Sequence, residues 1–117
     1  MNIYQDIILD HYHHPHNKGK IDNPDKTIQV KNPLCGDVIE MTVLFDRNKV
    51  KEIKFSSEGC VISQASTSML TDYAKNKSKQ ELKKLDSKFI IKMLGIDFGM
   101  NRIKCAVLPL EALHKLL

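Results

Sequence analysis

Arginine and aromatic side chains are scarce in this chain of 117 residues. Only Arg47 and Arg102 stand among its eighteen basic side chains, and there are three tyrosines, four phenylalanines and no tryptophan. The net charge of +4 therefore comes from scattered lysines. Nucleic-acid binders concentrate arginine and aromatics in a stripe, so that class is disfavoured. What remains is a solvated lysine-rich surface that could dock on an acidic patch of a partner protein. No apolar run approaches the roughly 20 residues that span a bilayer. Residues 1–10 carry Asp6 and Asp10 and lack a basic flank ahead of an apolar stretch, which argues against an export signal. Three cysteines, an odd number, do not make a disulfide framework, and without export they stay reduced. These absences predict a soluble, cytoplasmic protein. Repeats and low-complexity linkers are also missing, and 42% hydrophobic content suits one domain over residues 1–117.

Apolar periodicity predicts an α+β fold. Ile3, Tyr4, Ile7, Ile8, His11 and Tyr12 recur at helical spacing over residues 3–13, ahead of Pro15. A polar loop follows, then a short strand around Ile28 and Val30. Ile39, Met41, Val43 and Phe45 share one face of a longer strand, which turns at 46–49 and returns from Val50 to Phe55. After Cys60 the period changes to 3.6, and Ile62, Ala65, Met69 and Tyr73 line one face of a helix over 61–75. Ser78 with Glu81 has the capping-box spacing for a short helix to Leu85. Ser87 is expected to cap the next helix, with Ile90, Ile91, Met93 and Leu94 on its apolar face before Gly95. Residues 97–101 read as a loop. The segment from Ile103 to Leu117 is helical in character, and Pro109 should kink it or open a fresh helix. The expected architecture is a three-stranded antiparallel meander packed against several helices.

The cysteines carry the chemical signal. Cys35 follows Pro33 and precedes Gly36 in a loop where its sulfur is accessible. Cys60 stands at the expected start of a helix, whose dipole and unpaired N–H groups favour a thiolate. Cys105 follows Arg102 and Lys104, a positive setting with the same effect. Asp37, two residues beyond Cys35, offers a carboxylate. Three thiolates and a carboxylate form a tetrahedral set for zinc, and also a labile cradle for an iron-sulfur cluster. The ligands are too dispersed for the paired spacing of a zinc ribbon, so folding must assemble them. Spacing alone does not separate this reading from three buried cysteines acting as small hydrophobes.

The motifs go further. Asp10-His11-Tyr12-x-x-Pro15-x-Asn17-x-Gly19, Asn32-Pro33-x-Cys35-Gly36-Asp37, Gly59-Cys60-x-Ile62-Ser63-x-Ala65-Ser66-x-Ser68 and Lys104-Cys105-Ala106 occur in that order. Together they resemble the U-type iron-sulfur cluster assembly family, comprising IscU, SufU and the N-terminal part of NifU, across nearly the whole chain. The resemblance implies a metal site at Cys35, Asp37, Cys60 and Cys105, with Arg102 and Lys104 as supporting residues. Lys104, where IscU proteins carry histidine, resembles the SufU branch. In that branch zinc is the cofactor and a SufS-like cysteine desulfurase the partner. Cys35 is then the persulfide acceptor, its thiolate freed when zinc yields a ligand to the partner. The separation of Cys60 from Cys105 instead resembles IscU, lacking the longer SufU insertion. Gly99-Met100-Asn101 replaces the proline-led approach to the last cysteine, and the paired prolines of the IscU chaperone-recognition loop are absent. The leading expectation is zinc-dependent sulfur transfer. The alternative is a scaffold that builds a transient [2Fe-2S] cluster on the same residues and passes it to apo-proteins.

Other constellations read more plainly. His11, His13, His14 and His16 cluster after the first helix, but histidines near a helix C-terminus favour its dipole, and a surface role is expected. A cysteine hydrolase would need an oxyanion-hole motif, which is missing. Ser63, Ser66, Thr67 and Ser68 are expected to permit close helix packing.

Overall fold

A computed structural model describes residues 3–33, 36–95 and 100–117, with side chains from 103 onward in the last stretch. Its order is α1 (Ile3–His13), β1 (Lys26–Asn32), β2 (Asp37–Asp46), β3 (Lys49–Glu58), α2 (Val61–Ala74), α3 (Lys79–Lys83), α4 (Ser87–Leu94) and α5 (Met100–Leu116). This is the α+β arrangement that the periodicity predicts, with one antiparallel sheet in the order β1-β2-β3.

Alternation sets the register. Val30 faces Ile39, Ile28 faces Met41, and on the other side Met41 faces Phe55 and Val43 faces Ile53. One face of the sheet is therefore continuously apolar, and Ile39, Met41 and Val43 are completely buried. A bulge between Leu44 and Phe45 shifts the pairing, so Phe45 is only half-buried and stacks under Lys79 Nζ at 4.2 Å. The apolar face is covered by α2, which packs on β3, and by α5, which packs on β1 and β2. Helices α1 and α4 close over α2, and α4 also packs on α5.

Several ends are set by local chemistry. Ser78 and Glu81 form the expected capping box, with Ser78 Oγ accepting from Glu81 N at 3.1 Å. At α4 the cap is Asp86, whose carboxylate accepts from Phe89 N at 3.1 Å, and Ser87 is the first helical residue. A carboxylate in extended backbone satisfies the first-turn N–H that the sequence pattern assigns to Ser87. Gly95 ends α4 in the left-handed region at φ 68°, and a Cβ there would collide with the Tyr4 ring of α1.

Two further expectations change. Helix α5 already includes residues 100 and 101, and it runs through Pro109 without a break. Burial against the sheet holds the helix through the proline, whose ring nonetheless removes one donor. On α2 the predicted face is too narrow. Ile62 and Ala65 are buried but Tyr73 is exposed, while Ser63, Ser66, Thr67, Ser68, Leu70, Thr71 and Ala74 are buried. Because α2 is covered on more than one side, its small hydroxyl residues form contact surfaces and bond internally, Thr67 Oγ1 donating to Ser63 O at 2.7 Å. No helix among the described residues is long and apolar enough to cross a membrane.

Candidate metal centre

Three elements end at one corner of the sheet. The β1-β2 hairpin pairs Asn32 with Asp37, and the pairing of Val38 with Glu58 brings the end of β3 alongside. Asp37 is completely buried at the first position of β2. A buried carboxylate must be hydrogen-bonded or bound to a cation to offset its lost hydration. Cys60 N supplies one such bond, donating to Asp37 Oδ1 at 2.9 Å.

Gly59 makes that approach possible. Its φ is +150°, and a Cβ on it would collide with Asp37 Oδ1. A side chain at this position would occupy the space of the carboxylate. The chain then enters α2 with Cys60 as the N-cap in extended backbone, its sulfur accepting from Ser63 N at 3.4 Å. Sulfur takes the place usually held by a hydroxyl or carboxylate oxygen, so the helix start directs two N–H groups into this corner. Ser63 Oγ is buried next to it with no hydrogen-bond partner among the described residues.

Cys105 arrives from α5, where it is 4% exposed, with Asn32 Nδ2 donating towards its sulfur at 3.9 Å. The Cys60 and Cys105 sulfurs and a carboxylate oxygen of Asp37 all lie within 4.8 Å of one another, and Cys60 Sγ is 4.0 Å from Asp37 Oδ2. A tetrahedral zinc ion with bonds near 2.3 Å to sulfur and near 2.0 Å to oxygen needs ligand separations of about 3.5–3.8 Å. The three donors stand close to that spacing. Their soft and borderline chemistry suits zinc or iron rather than magnesium or calcium.

Of the residues singled out in the sequence, Asp37, Cys60 and Cys105 are thus brought together. Cys35 and the Arg102 side chain lie outside the described residues. Lys104 is exposed, beside a shallow depression lined by Lys31, Asn32, Pro33 and Glu111. Two contributors had no role assigned from sequence. Asn32 and Gly59 are visible only as parts of motifs, because their contacts cross between elements. His16 also departs from its neighbours: though exposed like His13 and His14, it turns back to join His11 and Asp72, and neither of the other two belongs to that cluster.

Comparison with known proteins places the chain. Residues 3–117 match the family model of the NifU-like N-terminal domain. The zinc-dependent sulfurtransferase SufU of Bacillus subtilis is 37% identical over 97% of this chain and 88% of its own length. The iron-sulfur cluster assembly scaffold protein IscU of Streptococcus pyogenes is 45% identical over 68% of this chain, a match spanning half of that relative. A crystal structure of a putative SUF-system iron-sulfur cluster assembly scaffold protein from Fervidobacterium islandicum superposes with a TM-score of 0.81. It shares 31% identity over 93% of this chain and 92% of its own. With the three-stranded sheet, the helix-start cysteine and the buried aspartate already in place, these matches show that the chain belongs to the NifU-like N-terminal domain family of iron-sulfur cluster assembly proteins.

Proposed function

We propose that this protein is a zinc-dependent sulfur carrier of iron-sulfur cluster biogenesis, with Cys35, Asp37, Cys60 and Cys105 as ligands and Cys35 as the persulfide acceptor. The observation that carries the reading is the convergence of a wholly buried carboxylate with two cysteine sulfurs from separate elements. Lys104 before the last cysteine and the likeness to SufU over 97% of the chain support the sulfur-transfer branch. Bound zinc would hold the thiols as thiolates at neutral pH. The protein's own residues set the frame. Cys60 N orients the Asp37 carboxylate, Gly59 leaves room for it, and the first turn of α2 fixes the Cys60 sulfur. The partner is a SufS-like cysteine desulfurase carrying a persulfide. The Cys35 thiolate attacks its terminal sulfur, a new S–S bond forms on Cys35, and the desulfurase thiolate leaves as its own S–S bond breaks. Arg102 and Lys104, which precede Cys105 in the sequence, are assigned the supporting role of favouring its thiolate through their positive charge.

A second reading is the cluster scaffold, in which the same residues assemble a transient [2Fe-2S] cluster for apo-proteins. Cys60 is exposed, as cluster hand-over requires, and the likeness to the streptococcal IscU supports it. Anaerobic purification followed by metal analysis and an absorption spectrum distinguishes the two. Sulfur transfer predicts about one zinc per chain held by the cysteine centre, no visible chromophore and stimulation of a cognate desulfurase that Cys35→Ala abolishes. A brown, iron-containing protein that passes its cluster on would overturn it in favour of the scaffold. Full stimulation by the Cys35→Ala variant would remove the acceptor role.

A further inference from the structure

A second group of metal-binding side chains lies towards the opposite end of α2 from Cys60. His11 comes from α1, His16 from the loop after it, and Asp72 from the last turn of α2. One ring nitrogen of each histidine and a carboxylate oxygen of Asp72 lie within 4.8 Å of one another. The imidazole rings of His11 and His16 are 4.5 Å apart between centroids.

Each of these groups is held by a partner. Ser68 Oγ, itself buried, lies 2.7 Å from His11 Nδ1 and accepts from His16 N at 2.8 Å. This engages the Nδ1 edge of His11 and leaves Nε2 as its ligating nitrogen. Asn17 Nδ2 donates to Asp72 Oδ1 at 2.8 Å and to Thr71 Oγ1 at 3.0 Å. The other carboxylate oxygen, Oδ2, then faces His16 Nδ1 at 2.5 Å. His11 is thus fixed through one ring nitrogen and Asp72 through one carboxylate oxygen, while the His16 ring is oriented by Asp72 itself. Holding a ligand through its second polar atom is how proteins prepare a site for an ion. A pair of exposed opposite charges alone needs none of this support.

We infer that His11, His16 and Asp72 form a second metal site, separate from the cysteine centre, that takes a borderline divalent transition ion such as zinc. Two imidazoles and a carboxylate suit that class and leave further coordination positions to water. The site is open, with the His16 and Asp72 side chains 47% and 40% exposed. An ion there would tie α1 and its following loop to α2. This inference does not depend on which branch of the family the protein serves.

Cobalt(II) titration under anaerobic conditions tests it, because only the cysteine centre gives an intense thiolate-to-cobalt charge-transfer band. The metal-free protein should take up a second equivalent that adds no charge-transfer intensity. His16→Gln and Asp72→Asn, both at exposed positions, should lose that equivalent and keep the first with its band. Ser68→Ala should weaken it by about 10- to 100-fold. A paired His13→Ala and His14→Ala variant should retain it. The inference is overturned if the wild type binds no second equivalent. It is equally overturned if His16→Gln binds that equivalent as tightly as wild type, or if the loss follows His13 and His14 instead.

Discussion

Gly59 and Asp37 show how closely a single atom can govern this protein. A Cβ at position 59 has nowhere to go but the Asp37 carboxylate, and the backbone there is one that L side chains rarely adopt. Gly59→Ala is expected to destabilise the fold by at least about 2 kcal/mol and to weaken zinc binding, read by denaturant unfolding and by competition with a chelator. Asp37→Asn separates charge from shape. The amide oxygen can still accept from Cys60 N, but the negative charge is gone. Because a buried carboxylate is costly without a cation, the metal-free variant should melt at the same temperature as wild type or higher. The stabilisation by zinc should shrink. A metal-free Asp37→Asn variant that melts well below wild type would show that the carboxylate has an essential partner within the fold.

Helix α2 links the two ends of the molecule that carry chemistry, with Cys60 as its cap and Asp72 in its last turn. It is held against α5 by Ser66 Oγ, which donates to Ala106 O at 2.7 Å, next to Cys105. Pro109 lies one turn further along α5 and cannot donate to the Cys105 carbonyl, four residues back. The hydroxyl of Ser66 binds the carbonyl next to the one whose helical donor the proline removes. Ser66→Ala removes a buried hydrogen bond between α2 and α5 and should cost about 0.5–1.5 kcal/mol. Thermal unfolding measures this, and an unchanged midpoint would show that the bond contributes nothing. Removing the Asp86 cap is expected to be milder. Asp86→Ala should lower stability by about 1 kcal/mol, with no effect on metal content.

The sheet and its two covering helices make the cysteine centre an assembly of parts distant in the chain. Asp37 comes from β2, Cys60 from the entry to α2 and Cys105 from α5, so an ion held by all three joins the sheet to both helices. Ligand that binds only the folded state stabilises it by mass action, about 2.7 kcal/mol at a hundredfold excess over Kd. Zinc should therefore raise the midpoint of the whole unfolding transition, and a chelator should lower it without splitting it. Phe55→Ala removes a buried side chain opposite Met41 and should cost about 3–5 kcal/mol. It should leave the zinc affinity of the surviving folded protein unchanged.

Much of this was legible in the chain. Alternation at Ile39, Met41 and Val43 and the 3.6 period after Cys60 dictate strand and helix because each element has one face to bury. Ser78 with Glu81 marks a helix start because a cap is local chemistry between near neighbours. The motifs around Asp37, Cys60 and Cys105 pointed to the family, and these three residues do come together in the fold. What the linear order could not convey depends on contacts between distant segments. The breadth of the buried face of α2 follows from how many neighbours cover it, and helix α5 persists through Pro109 because the sheet supports it. The nearness of Asp37 to Gly59, the grip of Asn32 on Cys105 and the meeting of His16 with Asp72 exist only once the sheet has registered and the helices have docked. Local periodicity determines which face of an element is apolar, whereas long-range packing alone decides which polar atoms from different elements come within reach of one ion.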